Sequence, residues 1–166
     1  LTDILFLFII AAAALFVQTI SAFLPAPEGC QPDLLLILVV WASQRVAFTT
    51  GICFGFVSGF LIDFYTGAPA GLFSLIYCVA FVVCGYISAF VAMESVPGRF
   101  LLAFGASLLG GCLVLTARWL KGPAGLVWSS ALWVLGKSCI TAVAAAALIP
   151  VVDWFWGGDS RPARQR

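Results

Sequence analysis

A chain of 166 residues that is 63% hydrophobic, only 9% charged and devoid of histidine carries more apolar surface than a water-soluble domain of that size can hide. Its natural solvent is lipid. With a net charge of +1 it has no basic patch of nucleic-acid type, and the missing histidine removes both the usual neutral-pH acid–base group and the commonest metal ligand.

The first apolar run, residues 4–24, can cross a bilayer core at about 1.5 Å per residue. It lacks a basic leader and exceeds a signal-peptide core, so it reads as a retained span. Gln18 is its one strongly polar side chain and suits a hydrogen bond to a neighbouring helix. Residues 24–32 form a loop with three prolines and Glu28. Asp33, directly after Pro32, is placed to cap a helix from Leu34 to Gln44, and Arg45 ends that run. A third helix is expected over about Ala47–Phe64. Residues 33–64 must then supply two crossings and a turn, leaving roughly 20–25 Å per helix against a core of about 30 Å. A single helix would be about 48 Å long and need extreme tilt. Two short spans are expected, reconciled by tilt or local thinning of the bilayer.

The third helix carries Gly51, Gly55 and Gly59, with Asp63 taking the next place in the series. Residues four apart stack on one helical face, so the glycines make a bare groove where another backbone can approach closely. That groove either packs within the chain or receives a partner's transmembrane helix. Gly67-Ala68-Pro69 stops the helix, and Gly71 belongs to the turn that follows.

Leu72–Met93 reads as a fourth span and Glu94–Arg99 as a short turn. Phe100–Trp119 is a fifth span with its own smooth face of Ala103, Ser107 and Gly111. Leu126–Val152 is a sixth, interrupted only by Lys137. The whole is expected to be an all-α integral membrane protein with six transmembrane helices. Residues 1–156 make one transmembrane domain, and 157–166 a short, basic, disordered cytoplasmic tail. Basic residues in the short connections favour both ends inside: Arg45, Arg99, Arg161, Arg164 and Arg166 fall on the cytoplasmic side, Arg118 and Lys121 outside. Tyr65, Trp119 and Trp128 then lie near the outer interface, Trp154 and Trp156 near the inner.

The intramembrane polar set is Gln18, Asp63 and Lys137. A charge in lipid finds a partner, which suggests an Asp63–Lys137 pair. The alternative has Asp63 capping a helix end while Lys137 faces a wet cavity or another subunit. No catalytic constellation is visible: the serines lack a histidine or a well-placed lysine, and the glycines form a helical stripe rather than a phosphate loop. The six cysteines have no CxxC spacing and sit mostly in apolar runs, as small hydrophobes do. No cofactor is expected.

Pro32-Asp33-Leu-Leu-Leu-Ile-Leu-Val-Val40, then Gly51-x3-Gly55-Phe-x2-Gly59-Phe-Leu-Ile-Asp63, then Gly67 and Gly71-Leu72 together resemble the MreD family, small integral membrane subunits of the bacterial rod-shape (elongation) system. The specific core of the likeness is residues 32–72; later spans match in hydropathy. The resemblance implies a non-enzymatic scaffold in the cytoplasmic (inner) membrane that binds MreC and helps couple MreB filaments to peptidoglycan synthesis and cell shape. RodZ, a SEDS glycosyltransferase and a class B penicillin-binding protein would be neighbours in that assembly. The family is also similar in fold to the substrate-binding S components of vitamin transporters, which gives a second expectation, a small-molecule binding subunit. The Ala-x-x-x-Ala coupling motif of S components is absent here, because Ala11 to Ala14 are followed four places on by Leu15, Phe16, Val17 and Gln18. An intramembrane enzyme, resting on Asp63 and Lys137 alone, ranks last.

Overall fold

The computed structural model describes residues 2–23, 31–66, 71–88, 96–120 and 128–155. Among these there are six helices and no strand: α1 (Thr2–Phe23), α2 (Leu34–Arg45), α3 (Phe48–Thr66), α4 (Leu72–Ile87), α5 (Val96–Leu120) and α6 (Trp128–Phe155). Gly67, most of the proline-rich loop and the basic tail lie outside the described residues.

The bundle is built around α2. Every side chain from Leu35 to Ala42 is buried, and α2 touches all five other helices. A helix that is apolar all round belongs in an interior, and Leu-Leu-Leu-Ile-Leu-Val-Val-Trp-Ala is such a sequence. This arrangement answers the length problem posed by residues 33–64. At 12 residues, α2 is about 18 Å long, too short for a lipid core of about 30 Å. It has no lipid to match, because its neighbours enclose it. The segment does break in two. Val46 is extended (φ −109°, ψ 150°) and its N–H donates to the Ala42 carbonyl, closing α2 before α3 begins.

Among the described residues, three helical stretches are long and apolar enough to cross a membrane: Phe48–Thr66, Pro97–Ala117 and Leu132–Phe155. Phe6–Ile20, Leu34–Arg45 and Leu72–Ile87 are shorter apolar helices. One core takes residues from all six, from Leu7 and Ala11 on α1 to Ala145 and Ile149 on α6.

Three boundaries differ from the sequence reading. The expected turn over Glu94–Arg99 is helical from Val96 onward, since Pro97 sits in a first turn where no N–H is needed. The fourth helix stops at Ile87 rather than Met93. The sixth runs on to Phe155 with Pro150 inside it, as helices in apolar surroundings tolerate.

The two ends of the bundle differ. At one, the C-terminus of α2, the start of α5 and the end of α6 bring Arg45, Arg99 and Asp153 together; this is the arginine end. At the other, the start of α2, the end of α3, the start of α4, the second half of α5 and the first half of α6 surround a cavity; this is the cavity end.

Candidate functional site

The glycine stripe is the seat of α4. A Cβ on Gly59 would come within 2.5 Å of the Phe73 carbonyl oxygen and the Ser74 amide nitrogen, and one on Gly51 would strike the Phe81 ring. At Gly55 it would lie 3.4 Å from the Tyr77 carbonyl oxygen, an ordinary contact. The two helices are therefore closest at Gly59, where backbone meets backbone. The groove expected as a possible partner site is filled by the chain's own fourth helix, and small residues permit that approach for the reason given by close helix packing in lipid.

Asp63 completes the same joint. Its Oδ2 accepts from the Gly71 N–H at 2.8 Å and its Oδ1 from the Phe73 N–H at 2.9 Å, with Ser74 Oγ–H at 3.5 Å. These are N-terminal donors of α4, which have no partner within their own helix. A carboxylate there satisfies them and meets the positive end of the helix dipole. Gly71 has φ +94°, a left-handed conformation natural only to glycine, and this turns its N–H toward Asp63. Of the two expectations for Asp63, the pair with Lys137 is not formed, and the helix-end cap is, at the start of α4, while Lys137 lines a cavity. Sequence patterning displays charged side chains and hides such amides.

Asp33 locks three helices. As N-cap of α2, its Oδ1 accepts from the Leu36 N–H at 3.1 Å and from the Tyr77 hydroxyl of α4 at 2.8 Å. Its own N–H donates to Thr141 Oγ1 of α6 at 3.3 Å. Pro32 lies half-buried just before it. Gln18 lies half-buried on α1, which packs on α2 and α3.

Lys137 lines a cavity of about 550 Å³, within the range of small-molecule sites. Leu72, Phe73 and Ile76 of α4, Val114 of α5 and Val134 of α6 supply apolar walls; Asp33, Tyr77, Ser107 and Ser138 supply polar atoms. The ammonium lies 5.6 Å from the centre of the Trp133 ring, in the range of a cation–π contact between residues four apart on a helix. The described ion pairs all involve Asp153, so among the described residues no carboxylate comes within ion-pair distance of Lys137. Gly110 and Gly111 face the cavity from α5. Gly111 is held close to α6, where a Cβ would strike Val134, so the smooth face of α5 sets the spacing of the α5–α6 wall.

At the arginine end sits a cluster that the sequence reading missed. Asp153 Oδ1 accepts from the Trp41 indole N–H at 2.9 Å and pairs with Arg45 at 3.2 Å, while Oδ2 pairs with Arg99 at 3.4 Å. These side chains are largely shielded, at 17–24% exposure. Two signals could have found it. Arg45 and Arg99 were placed on one side of the membrane, and an acidic residue at the end of the last span falls on that same side. The five described cysteines are free thiols, and no three His, Cys, Asp or Glu side chains converge among the described residues.

Comparison of the chain with known family models, with curated proteins and with solved structures finds no match.

Proposed function

We propose that this chain is a non-catalytic membrane scaffold of the MreD type, a subunit of the bacterial cell-elongation complex that binds MreC. In this reading six helices span the cytoplasmic membrane with both ends inside. The arginine end faces the cytoplasm, in keeping with the positive-inside rule. The exposed Trp154 near that end and the exposed Tyr65 near the other suit the two interfacial belts.

One observation carries the scaffold reading. The residues behind the MreD resemblance hold helices to one another: Asp33 joins α2 to α4 and α6, Gly59 seats α4, and Asp63 caps it. Side chains committed in this way serve a rigid body that others bind, rather than a reaction. Because α4 fills the glycine groove, the MreC helix belongs on an outward face. The test is photocrosslinking in cells from outward positions on four helices, such as Phe16, Phe60, Leu101 and Leu132, all exposed. Crosslinks to a single-span, coiled-coil protein from one face are expected. Their absence from all four faces overturns the reading.

The cavity favours a second reading, a small-molecule binding subunit of S-component type. Mass spectrometry of the purified protein tests it, and a stoichiometric vitamin would replace the scaffold reading.

A further inference from the structure

The cavity combines features that specify a ligand more narrowly than its volume does. Its walls are mainly apolar. Its one lysine ammonium touches an aromatic face and, among the described residues, has no carboxylate partner. A cation without a counter-charge in apolar surroundings is costly, and it recovers that cost when an anion arrives.

The polar groups are also ordered in depth. Thr141, which receives the Asp33 N–H, lies one helical turn beyond Lys137 on the same face of α6. Asp33 is therefore anchored at a level about 6 Å farther along α6 than Lys137. Its carboxylate is 8% exposed at the residue level and already accepts two hydrogen bonds. A second anion is repelled at that level and attracted one turn above it. The Tyr77 hydroxyl donates its hydrogen bond to Asp33, so it does not offer that donor to a ligand.

We infer that the cavity binds an amphiphilic organic monoanion, its charged head at Lys137 and its apolar body against Phe73, Ile76, Val114 and Val134. The inference rests on the cavity being a ligand site, as in the second reading above, and it is compatible with the scaffold role. An acidic lipid headgroup and a free carboxylic acid share this chemistry.

The experiment compares three eight-carbon probes that differ in the head: octanoate, octanol and octylammonium. Each is titrated against the full chain in an uncharged detergent, and the shift in thermal unfolding is followed, since a ligand selective for the folded state raises it. Octanoate is expected to stabilise the protein and the other two not to. Lys137→Gln should lose the octanoate effect, Lys137→Arg should keep it, and Val114→Phe, which fills the cavity, should lose it with Lys137 intact. Repeating the titration in phosphatidylcholine nanodiscs, with and without phosphatidylglycerol, separates the two sources. An octanoate shift removed by phosphatidylglycerol supports the lipid headgroup, and one that persists supports the free acid. Equal shifts from octanoate and octanol, or an octanoate shift that survives Lys137→Gln, overturn the inference. A bound vitamin that is neutral or cationic would end the monoanion proposal while sustaining the second reading. Absence of any bound molecule together with absence of any probe-induced shift would end both.

Discussion

The two ends of the bundle use charge in opposite ways. At the arginine end, three charged side chains and an indole close on one another through Asp153, tying the ends of α2, α5 and α6. At the cavity end, Asp33 and Asp63 are absorbed by hydrogen-bond donors, whereas Lys137 meets only an aromatic face among the described residues. One end is finished as structure, while the other holds a charge that the fold does not use. Within a bilayer such a charge is the better indicator of function, because a fold gains nothing by leaving it without a partner.

The sharpest way to break that comparison is to remove Asp153. Asp153→Ala removes the carboxylate that joins two arginines and a buried indole N–H, and should cost about 3 kcal/mol, read as a lower unfolding temperature in detergent. A change near zero would mean that the arginine end is not the structural one. Gly59→Ala should cost about 2–3 kcal/mol, because the methyl meets α4 backbone rather than a movable side chain. Gly55→Ala should stay within about 0.5 kcal/mol of the parent, as ordinary contact and improved helix propensity offset each other. Similar losses at both glycines would contradict the contact geometry of α3 on α4. Asp63→Ala, which uncaps α4, should cost about 2 kcal/mol. If Asp63→Ala is rescued by Lys137→Ala in a double-mutant cycle, the two residues are coupled after all. The smallest loss belongs to Lys137→Gln: it removes a cation that has no carboxylate partner among the described residues, so in the absence of ligand it should leave stability unchanged or raise it. A loss as large as that of Asp153→Ala would erase the contrast between the ends.

Much of this architecture was legible in the chain. Hydropathy placed six helices, Pro32-Asp33 announced the start of α2, and the four-residue glycine spacing revealed a packing face. What remained hidden had a common physical cause. That Asp63 could cap a helix end was legible, but its particular partners are backbone amides at the turn of Gly71, and no residue type advertises them. The central position of α2 follows from its uniform apolarity, but a lipid-facing helix is also apolar, so composition alone could not separate the two. The cavity is lined by residues of five helices, α2 to α6. Lys137 was noticed as a charge, but the space around it belongs to residues from α2, α4 and α5 that lie far from it in sequence.

The enclosure of α2 bears on how the chain is made. A helix of about 18 Å with Asp33 at its head is a poor resident of bare lipid, yet it emerges before the helices that will surround it. The hydrogen bond from the Asp33 N–H to Thr141 Oγ1 spans 108 residues and closes only once α6 is in place. In the multi-span reading, α2 must therefore stay shielded until the last helix arrives. Chains cut short before α6 are expected to be cleared by membrane proteases, because the feature that organises the finished bundle is the one that an unfinished bundle leaves exposed.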